Sequence, residues 1–335
     1  MPLTVGDPAP WFVAHTSRGG TFKLESVAGR WVCLVFANDP SVAAEAAAAI
    51  SKLPQAQDWH HCILGMVRAG LDHSMPGERW FPDPEGALAS RFGIDASGWV
   101  LLDAMLRVYA TGALASLPAS LERLAALPPP HAHADQEIAA PVLMLPRVFE
   151  PALCERLIGY YRRSNIIDSG FMREIDGRQQ LVNDAQYKRR KDVLIGEPAL
   201  QQVLARHLKA RLIPELRKSF QYQPTRIERY LLACYEAGAG YFRAHRDNTG
   251  AATAHRKFAV TINLNTGDYD GGALWFPEFS QRLYRPPAGG AIVFSGSLMH
   301  EVTPVTRGER FAFLTFLYDE TGAQQRREAH HLGQG

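Results

Sequence analysis

The sequence predicts two domains, an α/β sheet domain followed by an antiparallel double-sheet barrel flanked by helices. Three observations carry this. Strand-like and helix-like segments alternate in the first part of the chain, short β-branched and aromatic runs dominate after residue 225, and a proline-rich break, Leu127-Pro-Pro-Pro-His-Ala-His-Ala-Asp135, lies between them. At 335 residues, 46% of them hydrophobic and 21% charged, the chain can bury two separate cores.

Before the break, Trp31 to Ala37 is an apolar β-rich run, Val42 to Leu53 reads as a helix and His61 to Val67 as a second strand. Glu85 to Phe92 predicts a helix, and Trp99 to Leu102 with Leu106 to Tyr109 predicts an antiparallel pair around Asp103. The three prolines impose extended backbone and their neighbours offer little to bury. The domains are therefore drawn as 1–125, a linker at 126–138, and 139–325. In the second domain helices come first, at Pro151 to Arg163 and Pro198 to Phe220. Strands follow at Arg229 to Tyr235, Tyr241 to His245, Phe258 to Leu264, Ala273 to Phe276, Ala291 to Phe294 and Arg310 to Tyr318, separated by Gly, Pro, Asn and Asp turn signals.

Lys plus Arg number 36 against 34 Asp plus Glu, a net charge of +2, so no global field marks a nucleic-acid or membrane-surface binder. Cys33, Cys62, Cys154 and Cys234 are scattered, form no C-x-x-C pair, and read as buried free thiols of a reducing compartment. No basic segment leads into an apolar run at the N-terminus, and no stretch reaches the roughly 18 apolar residues of a membrane span. A cytoplasmic location is expected.

Two neutral imidazoles and one carboxylate on one face of Fe(II) leave the other positions open for a chelating cosubstrate and dioxygen. A His-x-Asp on a strand supplies two such ligands, because residues i and i+2 project to the same side. Chance alone gives about 0.6 such tripeptides in a chain of this composition, and two occur. His133-Ala-Asp135 lies in the proline-rich break with nothing to hold it rigid. His245-Arg-Asp247 follows Tyr235-Glu-Ala-Gly-Ala-Gly-Tyr241 and is followed by Gly289-Gly-Ala-Ile-Val-Phe-Ser-Gly-Ser-Leu-Met-His300 and by Arg310 at the head of another strand. A dicarboxylate chelating the metal at one end buries its other carboxylate, which a guanidinium can pair bidentately. Arg310 is the candidate; Arg307, next to Gly308 in a turn, reads as solvated.

Residues from about Arg229 to Asp319 resemble the catalytic core of Fe(II)/2-oxoglutarate dioxygenases, above all the prolyl-hydroxylase group, which implies a double-stranded β-helix (jelly-roll) fold. The resemblance implies iron ligation by His245, Asp247 and His300, a 2-oxoglutarate carboxylate held by Arg310, and a cosubstrate hydrogen bond from Tyr235. It implies Fe(II), 2-oxoglutarate and O2 as cofactors, with ascorbate a candidate reductant, and hydroxylation of an unactivated C–H bond with succinate and CO2 as co-products. Asn263 departs from the hypoxia-factor hydroxylases, which carry a cosubstrate-contacting tyrosine there. Tyr241 reads equally as core or pocket. Gly271-Gly272 and Gly289-Gly290 read as turn glycines, and His15, His60, His61, His73, His207 and His255 as ordinary core or surface histidines. The run Lys188-Arg-Arg-Lys191 reads as a solvated face, with a guide for acidic or phosphate-bearing substrates as the alternative.

Residues 3 to 115 are similar to the opening of peroxiredoxins, on Val5-Gly-Asp-Pro-Ala-Pro-Trp-Phe12, Gly29-Arg-Trp-Val-Cys-Leu-Val-Phe36 and Phe81-Pro-Asp-Pro-Glu-Gly-Ala-Leu-Ala-Ser-Arg-Phe-Gly93. This implies a thioredoxin-like fold. The family's proline, Thr/Ser and cysteine positions fall on Asn38, Val42 and Glu45, so the nucleophile is absent and the domain is expected to dock or pack rather than catalyse. The leading functional expectation is a hydroxylase of a protein or peptide side chain, prolyl by resemblance, or of a free amino acid or small molecule. A nucleic-acid demethylase and a non-enzymatic thioredoxin-like binding protein are the other classes. No membrane partner is expected; a homodimer is compatible.

Overall fold

The computed structural model describes all residues except 1, 17–19, 54–59, 71–74, 78, 176–177, 239 and 333–335, with 171–175, 178–181 and 330–332 described through the backbone alone. His73 lies outside the described residues. The chain divides into two compact units, Met1–Ala140 with Pro277–Gln281, and Pro141–Phe276 with Arg282–Gly335.

In the first unit the central strands are apolar throughout because both faces are covered. Trp31–Ala37 and His61–Val67 are buried at every position. They lie in a five-stranded sheet ordered Trp80–Pro82, His61–Val67, Trp31–Ala37, Gly98–Leu102, Val108–Ala113. The first three strands are parallel neighbours and the last two pair antiparallel, the mixed sheet of a thioredoxin-like fold. Helices Pro40–Ile50 and Leu117–Ala125 cover one face, packing Ala43, Ala46, Leu117, Leu121 and Leu124 against Cys33, Val35, Ile63 and Leu101. Asp39 caps the first helix by accepting from the Ser41 and Val42 amides.

Three details differ from the sequence expectation. The last strand starts at Val108 rather than Leu106, because Leu106 takes φ +57° in a turn that the Asp103 carboxylate closes by accepting from the Met105 and Arg107 amides. The helix at Leu117–Ala125 was not anticipated. The 126–138 segment is not a free linker. Leu127 packs on the first core, Trp31 Nε1 donates to the Pro128 carbonyl at 2.7 Å, Pro130 is buried, and His133 Nδ1 lies 3.6 Å from Asp103. The extended backbone that proline imposes lies along the domain surface instead of spanning a gap.

The second unit holds a seven-stranded sheet ordered Leu143–Leu145, Ala291–Ser295, Phe258–Asn263, Glu309–Tyr318, Arg226–Glu236, Lys191–Leu194, Ile167–Asp168. A five-stranded sheet runs Lys188–Arg189, Tyr241–His245, His300–Val302, Leu274–Trp275, Leu283–Tyr284. All the named pairings are antiparallel, as a jelly roll requires.

Period-two alternation decides what enters the barrel. Leu232, Cys234, Val260, Ile262, Val293, Phe311 and Phe313 face outward onto Leu153, Leu157, Tyr161, Leu200, Leu204, Leu212 and Leu216 of the covering helices. The opposite face therefore carries Ala233 and Tyr235, Thr261 and Asn263, Ile292 and Phe294, and Arg310, Ala312, Leu314 and Phe316. Cross-strand register places Tyr235 opposite Arg310, and Asn263 opposite Ala312. Arg310, 2% exposed, is thus a buried cation on the interior face of the barrel.

The expected single helix at Pro198 to Phe220 is interrupted by a π turn, Leu208–Leu212, between Pro198–His207 and Ile213–Phe220. Pro214 has no amide to donate, and the wider turn adapts the backbone just before it. The basic run is also corrected. Lys188 and Arg189 form one strand, Lys191 opens another in a different sheet and Arg190 lies between them; Lys188 and Arg190 are buried while Arg189 and Lys191 face outward. A cluster of like charges in sequence is here split between inside and outside.

Candidate metal centre and cosubstrate clamp

His245 ends the Tyr241–His245 strand and His300 opens the neighbouring one, directly opposite in register. Their rings lie 4.3 Å apart between centroids. Asp247 sits two residues beyond the strand end, held by its amide donating to the Gly296 carbonyl at 2.9 Å. His245 Nε2 is 3.7 Å and His300 Nε2 3.5 Å from the Asp247 carboxylate. One ligand atom from each of the three residues falls within 4.8 Å of the others, the spread a single ion can bridge.

Second contacts aim the rings. His245 Nδ1 donates to the Arg243 carbonyl at 2.7 Å and His300 Nδ1 to the Leu298 carbonyl at 3.0 Å. With Nδ1 carrying the proton, each Nε2 lone pair points at the shared space, the arrangement by which metal-binding histidines are usually oriented. Phe242 stacks on His245 at 3.5 Å and Phe294 meets His300 at 4.6 Å, fixing both rings. Burial first, then the nearby His300, pushes the His245 pKa well below the usual imidazole range. A neutral imidazole is the form that binds a metal. The donor set, two imidazole nitrogens and one carboxylate, fits Fe(II).

Arg310, near the start of the Glu309–Tyr318 strand, is buried in the same unit. Its guanidinium stands 4.9 Å over the Tyr235 ring. Nε and Nη2 donate to Asn263 Oδ1 at 3.3 and 3.0 Å, whereas Nη1 is buried without a partner among the described residues. A buried donor left unpaired is costly unless a ligand satisfies it. The far carboxylate of a chelating dicarboxylate has the charge and shape to do so. Arg307, the competing basic residue, is exposed and pairs with Asp270 at 2.7 Å. Tyr241 turns away, its hydroxyl donating to the Ala185 carbonyl at 2.6 Å.

Sequence reasoning did not find the residues that hold the clamp. Asn263, at the position that departs from the hypoxia-factor hydroxylases, orients Arg310 through its carbonyl, while its amide donates to Tyr269 Oη at 2.9 Å and to the Pro286 carbonyl at 3.2 Å. An asparagine in a strand otherwise built of apolar and β-branched residues was the available signal. Arg190 forms a buried bidentate pair with Asp192, both bonds 2.6 Å, 5.9 Å from the Tyr235 ring centroid. Burial alone would lower the Arg190 pKa, but Tyr235 and Asp192 more than offset it and raise it. Gly272 is more than a turn residue. At φ +58°, an added Cβ would stand 2.8 Å from Arg310 Cδ and 2.9 Å from Val305 Cγ2. Gly272→Ala is expected to push the guanidinium aside and weaken 2-oxoglutarate binding by about tenfold, since displacements near 1 Å carry penalties of that order or more. Titration of metal-loaded protein with 2-oxoglutarate checks it; unchanged affinity would show that Arg310 tolerates the crowding.

Residues 230–318 match the 2OG-Fe(II) oxygenase superfamily. A PKHD-type hydroxylase of Synechococcus sp. (strain JA-2-3B'a(2-13)) is 33% identical over 112 residues, 32% of this chain and 50% of the relative. The chain thus spans about half the length of that curated relative. Among solved structures, a Pseudomonas putida prolyl-4-hydroxylase aligns at 22% identity and TM-score 0.41 over 54% of this chain and 94% of its own. A Chlorobium tepidum chain described as a thiol:disulfide interchange protein aligns at 18% identity and TM-score 0.33, covering 37% of this chain and 97% of its own. No described helix is long and apolar enough to cross a membrane. The matched segment contains His245, Asp247, His300 and Arg310, and the second unit of this chain carries a 2OG-Fe(II) oxygenase superfamily domain.

Proposed function

We propose that this chain is an Fe(II)- and 2-oxoglutarate-dependent dioxygenase that hydroxylates an unactivated C–H bond of a protein or peptide side chain, of the prolyl type, with succinate and CO2 as co-products. The observation that carries the reading is that one unit holds both the His245, Asp247 and His300 triad and the buried Arg310 with its unanswered Nη1. The name of the Synechococcus relative supports the hydroxylase class.

His245, Asp247 and His300 would hold Fe(II), which with 2-oxoglutarate and O2 supplies the oxidising power. Arg310 holds the far carboxylate of the cosubstrate, with Asn263 fixing the guanidinium and Tyr235 beneath it. Leu274, Phe276, Phe294 and Val302, all buried, keep the interior dry. Water exclusion strengthens the Arg310 contact and protects the reaction from solvent.

The first unit serves as a docking or packing module. Cys33 and Cys62 are buried, and burial, followed for Cys33 by Cys62, raises both thiols, Cys33 to about 12. Neither offers the thiolate that peroxidase or disulfide chemistry needs.

The test is succinate release by the full chain with Fe(II), 2-oxoglutarate and O2, with and without proline-containing peptides. Release that requires iron and rises with peptide is expected, together with a peptide mass gain of one oxygen. Release no greater than in a metal-free control would overturn the oxygenase reading; iron-dependent release that no peptide stimulates would overturn the peptide assignment alone.

A further inference from the structure

Arg229 belongs neither to the triad nor to the Arg310 clamp, yet the fold goes to some length to place it. The interior row of the Glu309–Tyr318 strand begins with Arg310 and reaches Phe316 at its other end. There the Arg226–Glu236 strand bulges between Glu228 and Leu231. Arg229, inside the bulge, has φ +47°, a left-handed conformation that a residue bearing a Cβ adopts at a steric cost. The bulge lays its guanidinium over the Phe316 ring at 4.9 Å. Arg256 covers the same ring at 4.3 Å and reaches the Asp247 carbonyl at 3.5 Å, so this end of the barrel adjoins the metal ligands.

Three other cations nearby, Arg190, Arg256 and Lys188, are satisfied by the protein. Arg190 is paired with Asp192. Arg256 donates twice to Glu228, at 3.0 and 2.7 Å, and the same carboxylate also meets His255 Nε2 at 2.7 Å. Lys188 donates to the Gly170 carbonyl at 2.7 Å, and burial, then Arg190, lowers its pKa to about 6, leaving it largely neutral at neutral pH. Arg229 differs. Its Nε is buried and unpartnered among the described residues. Burial, then Arg256 and Arg190, lowers its pKa to about 10, with Glu228 and Asp247 pulling the other way.

A bound Fe(II) would draw on the Asp247 charge, and 2-oxoglutarate with Arg310 would balance the rest of the centre. Arg229 would then be a cation without an anionic partner of its own at this end of the barrel, Glu228 being taken by His255 and Arg256. We infer that Arg229 is a specificity-determining residue that binds a carboxylate carried by the substrate close to the carbon that is oxidised. This rests on the oxygenase reading above. Strain and an unpaired, half-buried guanidinium persist where the ligand, rather than the fold, supplies the compensation. The carboxylate comes either from a free imino or amino acid or from an acidic residue adjoining the target in a peptide.

The full-length protein, loaded with Mn(II) and saturating 2-oxoglutarate, is titrated with N-acetyl-L-proline and with its neutral amide, and Mn(II)-induced broadening of their proton signals is recorded. The acid is expected to bind at least about tenfold tighter than the amide and to be broadened selectively, as charge-assisted bonds to guanidinium favour it. Arg229→Gln should collapse that preference while leaving Mn(II) and 2-oxoglutarate affinities unchanged, and Arg229→Lys should keep part of it. The ligand-free Arg229→Gln protein should also unfold at a higher temperature, because a half-buried charge without its own counter-charge is gone; an arginine that merely supports the fold would give a lower one. Equal binding of acid and amide, absence of acid binding, a preference that survives Arg229→Gln, or a lowered unfolding temperature would each overturn the inference. Failure of the wild type to bind 2-oxoglutarate would instead overturn the oxygenase reading. Peptides with glutamate or glutamine beside proline separate the two sources: a glutamate preference lost in Arg229→Gln assigns the carboxylate to a neighbouring residue, and its absence alongside a preference for the free acid assigns it to the target itself.

Discussion

Replacing Asp247, His245 or His300 by alanine is expected to remove metal-dependent succinate formation, a fall on the order of a thousandfold or more, because the protein supplies ligand geometry and the metal supplies the chemistry. The three ligands arrive from two strand ends and a loop, each fixed by its own contacts: the Arg243 and Leu298 carbonyls for the rings and the Gly296 carbonyl for the Asp247 backbone. Those contacts leave the fold largely independent of the ligand atoms themselves. The variants should therefore keep wild-type circular dichroism while losing the rise in unfolding temperature that Mn(II) gives the wild type through mass action. The Asp247 variant should be the most severely affected in metal affinity, having lost the single anionic ligand. A full Mn(II)-induced shift in any of the three variants would remove that residue from the centre.

The parts of this architecture that sequence revealed are those set by local pattern. Trp31–Ala37 and His61–Val67 are legible because burial on both faces demands an unbroken apolar run. Tyr241–His245 and Pro151–Arg163 carry their own turn and helix signals. What stayed hidden depends on partners distant in sequence. Asn263 and Arg310 are 47 residues apart and meet only because the Phe258–Asn263 strand lies beside Glu309–Tyr318. Lys188 and Arg190 look like a solvated cluster until the chain passes from one sheet to the other at Arg190 and buries both. Arg229 gives no sign in sequence of the bulge that strains it, since only the cross-strand count shows the extra residue. The short Lys188–Arg189 and Leu283–Tyr284 strands are likewise fixed by pairing, not by their own composition.

Arg310→Gln is expected to weaken 2-oxoglutarate binding by roughly a hundredfold, within the 2–5 kcal/mol or more that loss of one partner from a buried hydrogen-bonded charge pair costs. The reasoning begins with the unfilled Nη1. Nε and Nη2 are already committed to Asn263 Oδ1, which leaves the outer edge of the guanidinium to receive a carboxylate. Glutamine is uncharged and too short to reproduce that edge. Arg310→Lys keeps the charge but not the planar fork, so it should fall between the two. On the proposed reading Arg310 acts on the cosubstrate and not on the metal, so Mn(II) binding should be unchanged in both variants, which separates this effect from loss of the triad. Arg307→Gln provides the control. Its side chain is exposed and paired with Asp270, so its removal should leave 2-oxoglutarate affinity within about twofold of wild type, as surface substitutions generally do little. Calorimetric titration of the Mn(II)-loaded proteins with 2-oxoglutarate decides the matter: comparable losses in the Arg307 and Arg310 variants, or none in Arg310→Gln, would move the cosubstrate carboxylate away from the barrel interior.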